Sequence, residues 1–329
     1  MSSSLKYQEQ SQSVRYFKYE LYHQIPIREP WCGILQLNHQ QTLLFAAGAM
    51  RILIFQFKNT LKPLFQIREE SQAISNIFTK QNSNQVFVGN CQGNIKIFQT
   101  IGINNTKIQI KIKAHKKSIT SFVMSKDASL LITCSLDGQI KFWTFEDSFS
   151  YKQTINSHEG GVCKISLNQS ENQIISCGKQ KFIFIIEQSS FNKRWFISQK
   201  IELESYGYGI CFISENLFAF QSTQNQDILF IYQRQKGTQL YNQIKDFQLN
   251  YNSQYCLFIQ QFIAQKSLLI SKKGNFIIVK EETNIQLLEN SAVEFDIIDV
   301  YGSVSDDGEY LISCDDQSKV ISIRKYKMI

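Results

Sequence analysis

The sequence predicts an all-β fold: a single seven-bladed β-propeller of four-stranded antiparallel blades, its ring closed by an amino-terminal strand joining the last blade. Two observations predict it. One is an internal repeat at the ~40–45-residue spacing of a propeller blade. The other is the lack of any stretch with helical periodicity long enough to compete. The repeat is clearest in 134-CSLDGQIKFW-143, a strand, an Asp-Gly turn and a second strand ending in Trp143.

Related apolar strand–turn–strand copies are 42-TLLFAAGAMRILIF-55, 85-QVFVGNCQGNIKIF-98, 130-LLITCSLDGQIKFW-143, 173-QIISCGKQKFIFI-185, 217-LFAFQSTQNQDILFIY-232, 268-LLISKKGNFIIV-279 and 310-YLISCDDQSKVISI-323. Anchored on Phe55, Phe98, Trp143, Ile185, Tyr232, Val279 and Ile323, they step by 43, 45, 42, 47, 47 and 44 residues. Two further strand-like segments lie between copies, as in 107-KIQIKIKAH-115 and 118-SITSFVMS-125, so each unit is four strands. A sheet that is apolar on both faces cannot bury both alone, and neighbouring blades must stack. The last copy leaves too little chain for an outer strand. The alternating segment 14-VRYFKYELYHQI-25 is free to supply it. The expected organisation is a disordered tail at 1–13 followed by the propeller at 14–329.

The 329 residues, 43% hydrophobic and 13% aromatic, are enough for a sizeable core. No window approaches the ~18 apolar residues of a membrane span, and the first residues, MSSSLKYQEQSQS, offer no signal-peptide core. The expected location is cytoplasmic, with cytoskeletal, ciliary or nuclear association open. Eight cysteines without a C-x-x-C pattern read as reduced, buried small hydrophobes, with neither disulfides nor a metal. A net charge of +7 with no block of five like charges permits nucleic acid without indicating it.

The stretch around Trp143 resembles the WD-repeat β-propellers, whose blades carry an Asp-Gly turn and end in Trp. The resemblance implies a buried structural tetrad of His115, Thr133, Asp137 and Trp143. The reading is a carboxylate between imidazole and hydroxyl, with the indole N–H as terminal donor. Elsewhere the pattern decays. The fourth copy keeps His158 and Ser176 but sets Lys179 in the place of the turn Asp and Ile185 in that of Trp, and the seventh keeps 306-DDG-308.

The sequence has no G-x-S-x-G, H-E-x-x-H, Walker A or strand-linked G-x-G-x-x-G motif, and its four histidines are scattered. The inner-strand segments WCGILQL, AISNIFTK, SITSFVMS, GVCKISLN and YGICFIS read as an apolar, small or neutral channel lining. We therefore expect no catalysis, no cofactor and no small-molecule substrate.

Binding is the better expectation, because a propeller presents rigid loops. Lys113, Lys116, Lys117, Lys179 and Lys181 form a basic arc on loops of blades three and four. Tyr206 and Tyr208 lie in the next blade beside Glu202 and Glu204. The arc suits an acidic peptide segment with the tyrosines as anchors. Trp195, within 192-NKRWFISQK-200, is a candidate for lateral contact. The function that follows, partly from the resemblance, is a protein-interaction scaffold in a larger cytosolic complex. The competing reading is an RNA- or ribosome-associated propeller using the Lys-rich loops.

Overall fold

The computed structural model describes residues 17–27, 32–48, 50–58, 60–68, 73–81, 83–101, 105–145, 149–222, 228–248, 260–273, 276–283, 286–294, 300–315 and 317–329. The expected tail at 1–13 lies outside them. β1 (Phe17–Pro26) belongs with the end of the chain and is placed last. Blade one consists of β2 (Ile34–Leu37), β3 (Leu43–Ala47), β4 (Arg51–Phe57) and β5 (Leu61–Arg68), and blade two of β6 (Ile74–Thr79), β7 (Gln85–Asn90), β8 (Asn94–Ile101) and β9 (Asn105–Lys113). Blade three is β10 (Ile119–Met124), β11 (Leu130–Ser135), β12 (Gln139–Phe145) and β13 (Phe149–Asn156). Blade four is β14 (Val162–Leu167), β15 (Gln173–Gly178), β16 (Phe182–Gln188) and β17 (Trp195–Glu202). Blade five follows as β18 (Gly207–Ser214), β19 (Leu217–Ser222), β20 (Ile228–Arg234) and β21 (Tyr241–Gln248), and blade six as β22 (Gln261–Ile263), β23 (Leu268–Lys273), β24 (Phe276–Thr283) and β25 (Gln286–Glu294).

The last sheet joins the two ends of the chain. It contains β26 (Val300–Val304), β27 (Tyr310–Asp315), β28 (Val320–Met328) and, outermost, β1. β1 runs antiparallel to β28 from Phe17 opposite Met328 to Pro26 opposite Val320. All pairings are antiparallel within four-stranded blades, and the clasp expected at 14–25 is seen at Phe17–Pro26.

Strand periodicity explains why the core is a series of wedges. Alternate residues of a strand face opposite sides. Leu131 and Trp143 of blade three pack on Phe87, Ile95 and Ile97 of blade two, whereas Ile132, Ile140 and Phe142 pack on Ile165, Ile174 and Trp195 of blade four. Across the clasp, Phe17 and Tyr19 join Ile263, Leu268 and Ile270 of blade six, and on the other side Ile312 and Ile321 join Leu44 and Phe55 of blade one. No blade owns a core, so each depends on its neighbours.

Each outer strand carries a β-bulge at an equivalent place, where Tyr22, Leu64, Gln109, Lys152, Ser198, Ile244 and Asn290 have no direct cross-strand partner. Bulges twist an edge and hinder edge-to-edge pairing. They also set the true register. The position matching Trp143 is Ile186 in blade four, Lys280 in blade six and Arg324 in the last blade, one residue beyond the Ile185, Val279 and Ile323 used as sequence anchors.

His39, in the turn after β2, bonds through Nδ1 to Asp306 of the last blade and through Nε2 to the Thr79 carbonyl of blade two at 3.0 Å. One imidazole thus touches three consecutive blades beside the closure. The Asp306 hydrogen bond raises its pKa; partial burial opposes this, while the Asp306 charge and the Thr79 carbonyl add to it. A folded pKa above the unfolded value of about 6.5 gives stability that is fully present below ~6.5 and lost as pH rises through the folded value. Thermal midpoints of the wild-type protein should fall across that window more steeply than those of His39→Gln. Parallel profiles would show that the pair adds nothing.

Candidate functional site

In blade three the four tetrad residues come together. His115 lies in the loop leading into β10, Thr133 on β11, Asp137 in the β11–β12 turn and Trp143 on β12. The indole Nε1–H donates to Thr133 Oγ1 at 3.0 Å, and Thr133 Oγ1 lies 2.8 Å from His115 Nε2. His115 Nδ1 lies 3.1 and 3.2 Å from the two Asp137 carboxylate oxygens. A neutral imidazole satisfies every group: Trp donates to Thr, Thr to Nε2, and Nδ1–H to the carboxylate. The expected order is therefore corrected, since the imidazole, not the carboxylate, stands in the middle. A carboxylate at the turn is too far along the blade to reach a hydroxyl on β11, and the planar ring spans that gap.

Asp137 also accepts the backbone N–H groups of Lys116 at 2.8 Å and Gln139 at 3.1 Å. Burial by itself would raise its pKa; the hydrogen bonds from His115 and from the Lys116 and Gln139 N–H groups outweigh it and hold the carboxyl well below the usual range. Gly138 completes the turn with φ +85°, and a Cβ there would lie 2.0 Å from the His158 carbonyl oxygen. Only glycine lets the turn press on the loop leading into blade four.

Blade four shows what the decay of the pattern costs. Gln180, not Lys179, occupies the place of Asp137: its Oε1 accepts the Glu159 N–H at 3.2 Å as Asp137 accepts that of Lys116. His158 Nε2 meets Ser176 Oγ at 3.1 Å, but buried His158 Nδ1 has no partner. Burial pushes the His158 pKa down to about 4.

The β11–β12 type of turn and the loop leading into the next inner strand emerge on one face, as expected. On it Lys116, Lys117, Lys179 and Lys181 are exposed. Lys113 is also exposed, but its ammonium donates to the Gln92 carbonyl at 2.5 Å and is tied to blade two. Lys179 and Tyr208 share the mouth of a central cavity of about 390 Å³ with Ser118, Leu136 and Gln260. Tyr206 meets Tyr208 edge-on, ring centroids 5.8 Å apart. Glu202 and Glu204 are exposed at the end of the neighbouring blade.

The channel lining differs from the expected one in one respect. Lys164, inside the segment read as GVCKISLN, lines this cavity and also the opposite mouth, a cavity of about 470 Å³ that includes Lys126, Glu171 and Asp306. The inner strand is the channel-side edge of its sheet, so its residues border the lumen one after another, Cys163 and Lys164 among them, and here one of them is charged. Cys163 lines the upper cavity, its thiol pushed up to about 11 by burial against the opposing effect of Lys179. The described cysteines are all free, and most are buried; Cys91, in the β7–β8 turn, is exposed and departs from the expectation. Cys256 lies outside the described residues. Among the described residues no group of three His, Cys, Asp or Glu side chains could hold a metal ion, and no helix is long and apolar enough to cross a membrane.

Trp195 is a correction. Its side chain is 5% exposed and stacks on Phe142 of blade three, centroids 5.1 Å apart, so the indole is not offered to a partner. Sequence reasoning missed the reason. The Gln153 amide donates to the Trp195 carbonyl at 2.6 Å and accepts its N–H at 3.0 Å. Gln199 does the same to Tyr241, at 2.8 and 2.8 Å. A glutamine on β13 and one on β17 thus each clasp the aromatic that starts the next outer strand. The signal available was a Gln set 42 residues before each aromatic.

A family model described as "WD domain, G-beta repeat" matches residues 106–144. The chain is similar to "Nuclear distribution protein PAC1" of Candida tropicalis, 32% identical over 123 residues, covering 37% of this chain and 23% of that protein. It is also similar to "Target of rapamycin complex subunit wat1" of Schizosaccharomyces pombe, 31% identical over 84 residues, covering 25% of this chain and 27% of that protein. The chain thus spans about a quarter of the length of these curated relatives. Among solved structures, a chain of the "Crystal Structure of Mitotic Checkpoint Complex" superposes with TM-score 0.76 at 13% identity, covering 99% of this chain and 98% of that one, a likeness of fold alone.

Proposed function

The chain belongs to the WD-repeat family of β-propellers, and on that premise we propose that it is a non-catalytic scaffold that holds partner proteins in a larger cytosolic complex. In this reading residues 14–329 form one seven-bladed ring, the amino-terminal dozen a solvated tail, and the loop face is the docking surface. The observation that carries it is the rigid presentation of exposed cations. Asp137 of blade three accepts the Lys116 N–H and the Gly93 carbonyl of blade two accepts the His115 N–H, so the loop bearing Lys116 and Lys117 is held by the blades on either side, while Lys179 stands with Tyr208 at the channel mouth. Preorganised loops lose little entropy on binding. Cations around an aromatic pair favour an acidic peptide, the tyrosines supplying contact area and the lysines steering. The relative named as a complex subunit is consistent with such a role.

The test is the combined variant Lys116→Glu, Lys117→Glu, Lys179→Glu in affinity purification from native lysate with mass spectrometry. Partner capture should fall about tenfold. The thermal midpoint should stay unchanged, since these side chains are exposed. Undiminished capture at low salt overturns the docking surface, and recovery of no protein by the wild type overturns the scaffold. A ribonuclease-sensitive capture that falls steeply with salt would favour the RNA-associated reading instead.

A further inference from the structure

We infer that the lateral groove between the outer strands of blades three and four binds an acidic segment of a partner protein that carries apolar side chains. The groove, of about 640 Å³, lies between β13 and the β16–β17 hairpin. The β16–β17 turn leaves the blade at the end opposite the β15–β16 turn, so the groove is remote from the loop face and uses none of its residues. Phe142 and Trp195 are in its lining, and the Gln153 clasp ties the two blades together beneath it. This floor is rigid because it is also the interblade core.

Charge selects the occupant. The charged side chains lining the groove are Lys152, Lys193 and Arg194, and no carboxylate lines it. Lys152 is the unpaired residue of the β13 bulge, the place where a bulge re-aims a side chain off the strand's regular alternation. Apolar surface selects it further. Phe191, at the hairpin tip beside the groove, is 95% exposed, and Ile197, which pairs with Ile186 and so faces the same side of the sheet as Trp195, is 39% exposed. These two extend the apolar surface of the groove beyond Phe142 and Trp195. A nucleic acid would satisfy the cations and leave Ile197 and Phe191 uncovered, whereas acidic peptide with apolar side chains covers both. The bulge at Ser198 interrupts the free edge of β17 and argues against simple strand addition, so recognition here is by side chains.

The experiment measures binding of a fluorescein-labelled synthetic peptide alternating glutamate and leucine to the full chain by anisotropy. Lys152→Glu, Lys193→Glu, Arg194→Glu combined should weaken binding at least about tenfold, and Phe191→Ser alone about fivefold. The loop-face variant Lys116→Glu, Lys117→Glu, Lys179→Glu should bind as the wild type does, which separates this proposal from the docking reading above. Equal binding by the groove variant, loss of binding by the loop-face variant only, or no binding by the wild type overturns it. Tighter, groove-dependent binding of a single-stranded RNA oligonucleotide overturns it too. Because the substituted side chains are exposed, an unchanged thermal midpoint confirms that each variant is folded.

Discussion

Asp137→Ala lowers stability by about 3 kcal/mol, because three donors lose their acceptor inside the protein. They are His115 Nδ1–H and the N–H groups of Lys116 and Gln139. The Asp137 side chain is 5% exposed and that of His115 0%, so water does not readily replace the carboxylate. A loss of that size lowers the thermal midpoint by roughly 6–12 °C. Asp137→Asn retains an acceptor oxygen and should lose less. The depressed pKa also predicts a direction with pH. A folded value below the unfolded one of about 3.9 gives stability present above ~3.9 and lost as pH falls through the folded value. Acid titration followed by chemical denaturation should show this component in the wild type and lack it in Asp137→Ala. Equal stability of the two proteins at neutral pH would remove the tetrad from the account of blade three.

A variant lacking residues 1–26 should fail to hold the ring. It strips β1 from β28, leaving the main-chain groups of Val320–Met328 without their partner strand. It also removes Phe17 and Tyr19, 3% and 6% exposed, from the wedge between the last two blades, along with the Tyr19 hydroxyl bond to the Gly308 carbonyl at 2.8 Å and the Phe17–Tyr326 stack. Burial of two large aromatics contributes about 3–6 kcal/mol, a large share of the ~5–15 kcal/mol that stabilises a typical protein. Gel filtration should show aggregation or expansion. Phe17→Ala with Tyr19→Ala provides a graded version, with a lowered midpoint in a protein that still has its strand. A truncated chain that elutes as a compact monomer and melts like the wild type would mean that the clasp is dispensable.

The two variants probe features of different legibility. The clasp was readable because 14–25 alternates as a strand does and precedes the inner strand of the first copy. The tetrad residues were readable as types, yet not their wiring. That Trp195 faces inward was not readable, because a basic, aromatic segment looks the same whether its indole points to a neighbour or to solvent. The Gln153 clasp that decides the matter joins residues whose strands meet only after two blades stack. Likewise Gln180 and Lys179 are adjacent in sequence. Only the turn geometry shows which of them faces the loop at Glu159.

Strand content, blade period and the closing strand follow from the order of apolar residues, because a strand's faces alternate at every second residue and a repeat that cannot bury both faces must stack. Pairing register, the outer bulges, the position of Lys152 in a lateral groove, and the His39 bond to Asp306 belong to the assembled ring. Each depends on contacts between residues of separate blades, and those distances are set by how neighbouring sheets twist and pack rather than by any local preference of the chain.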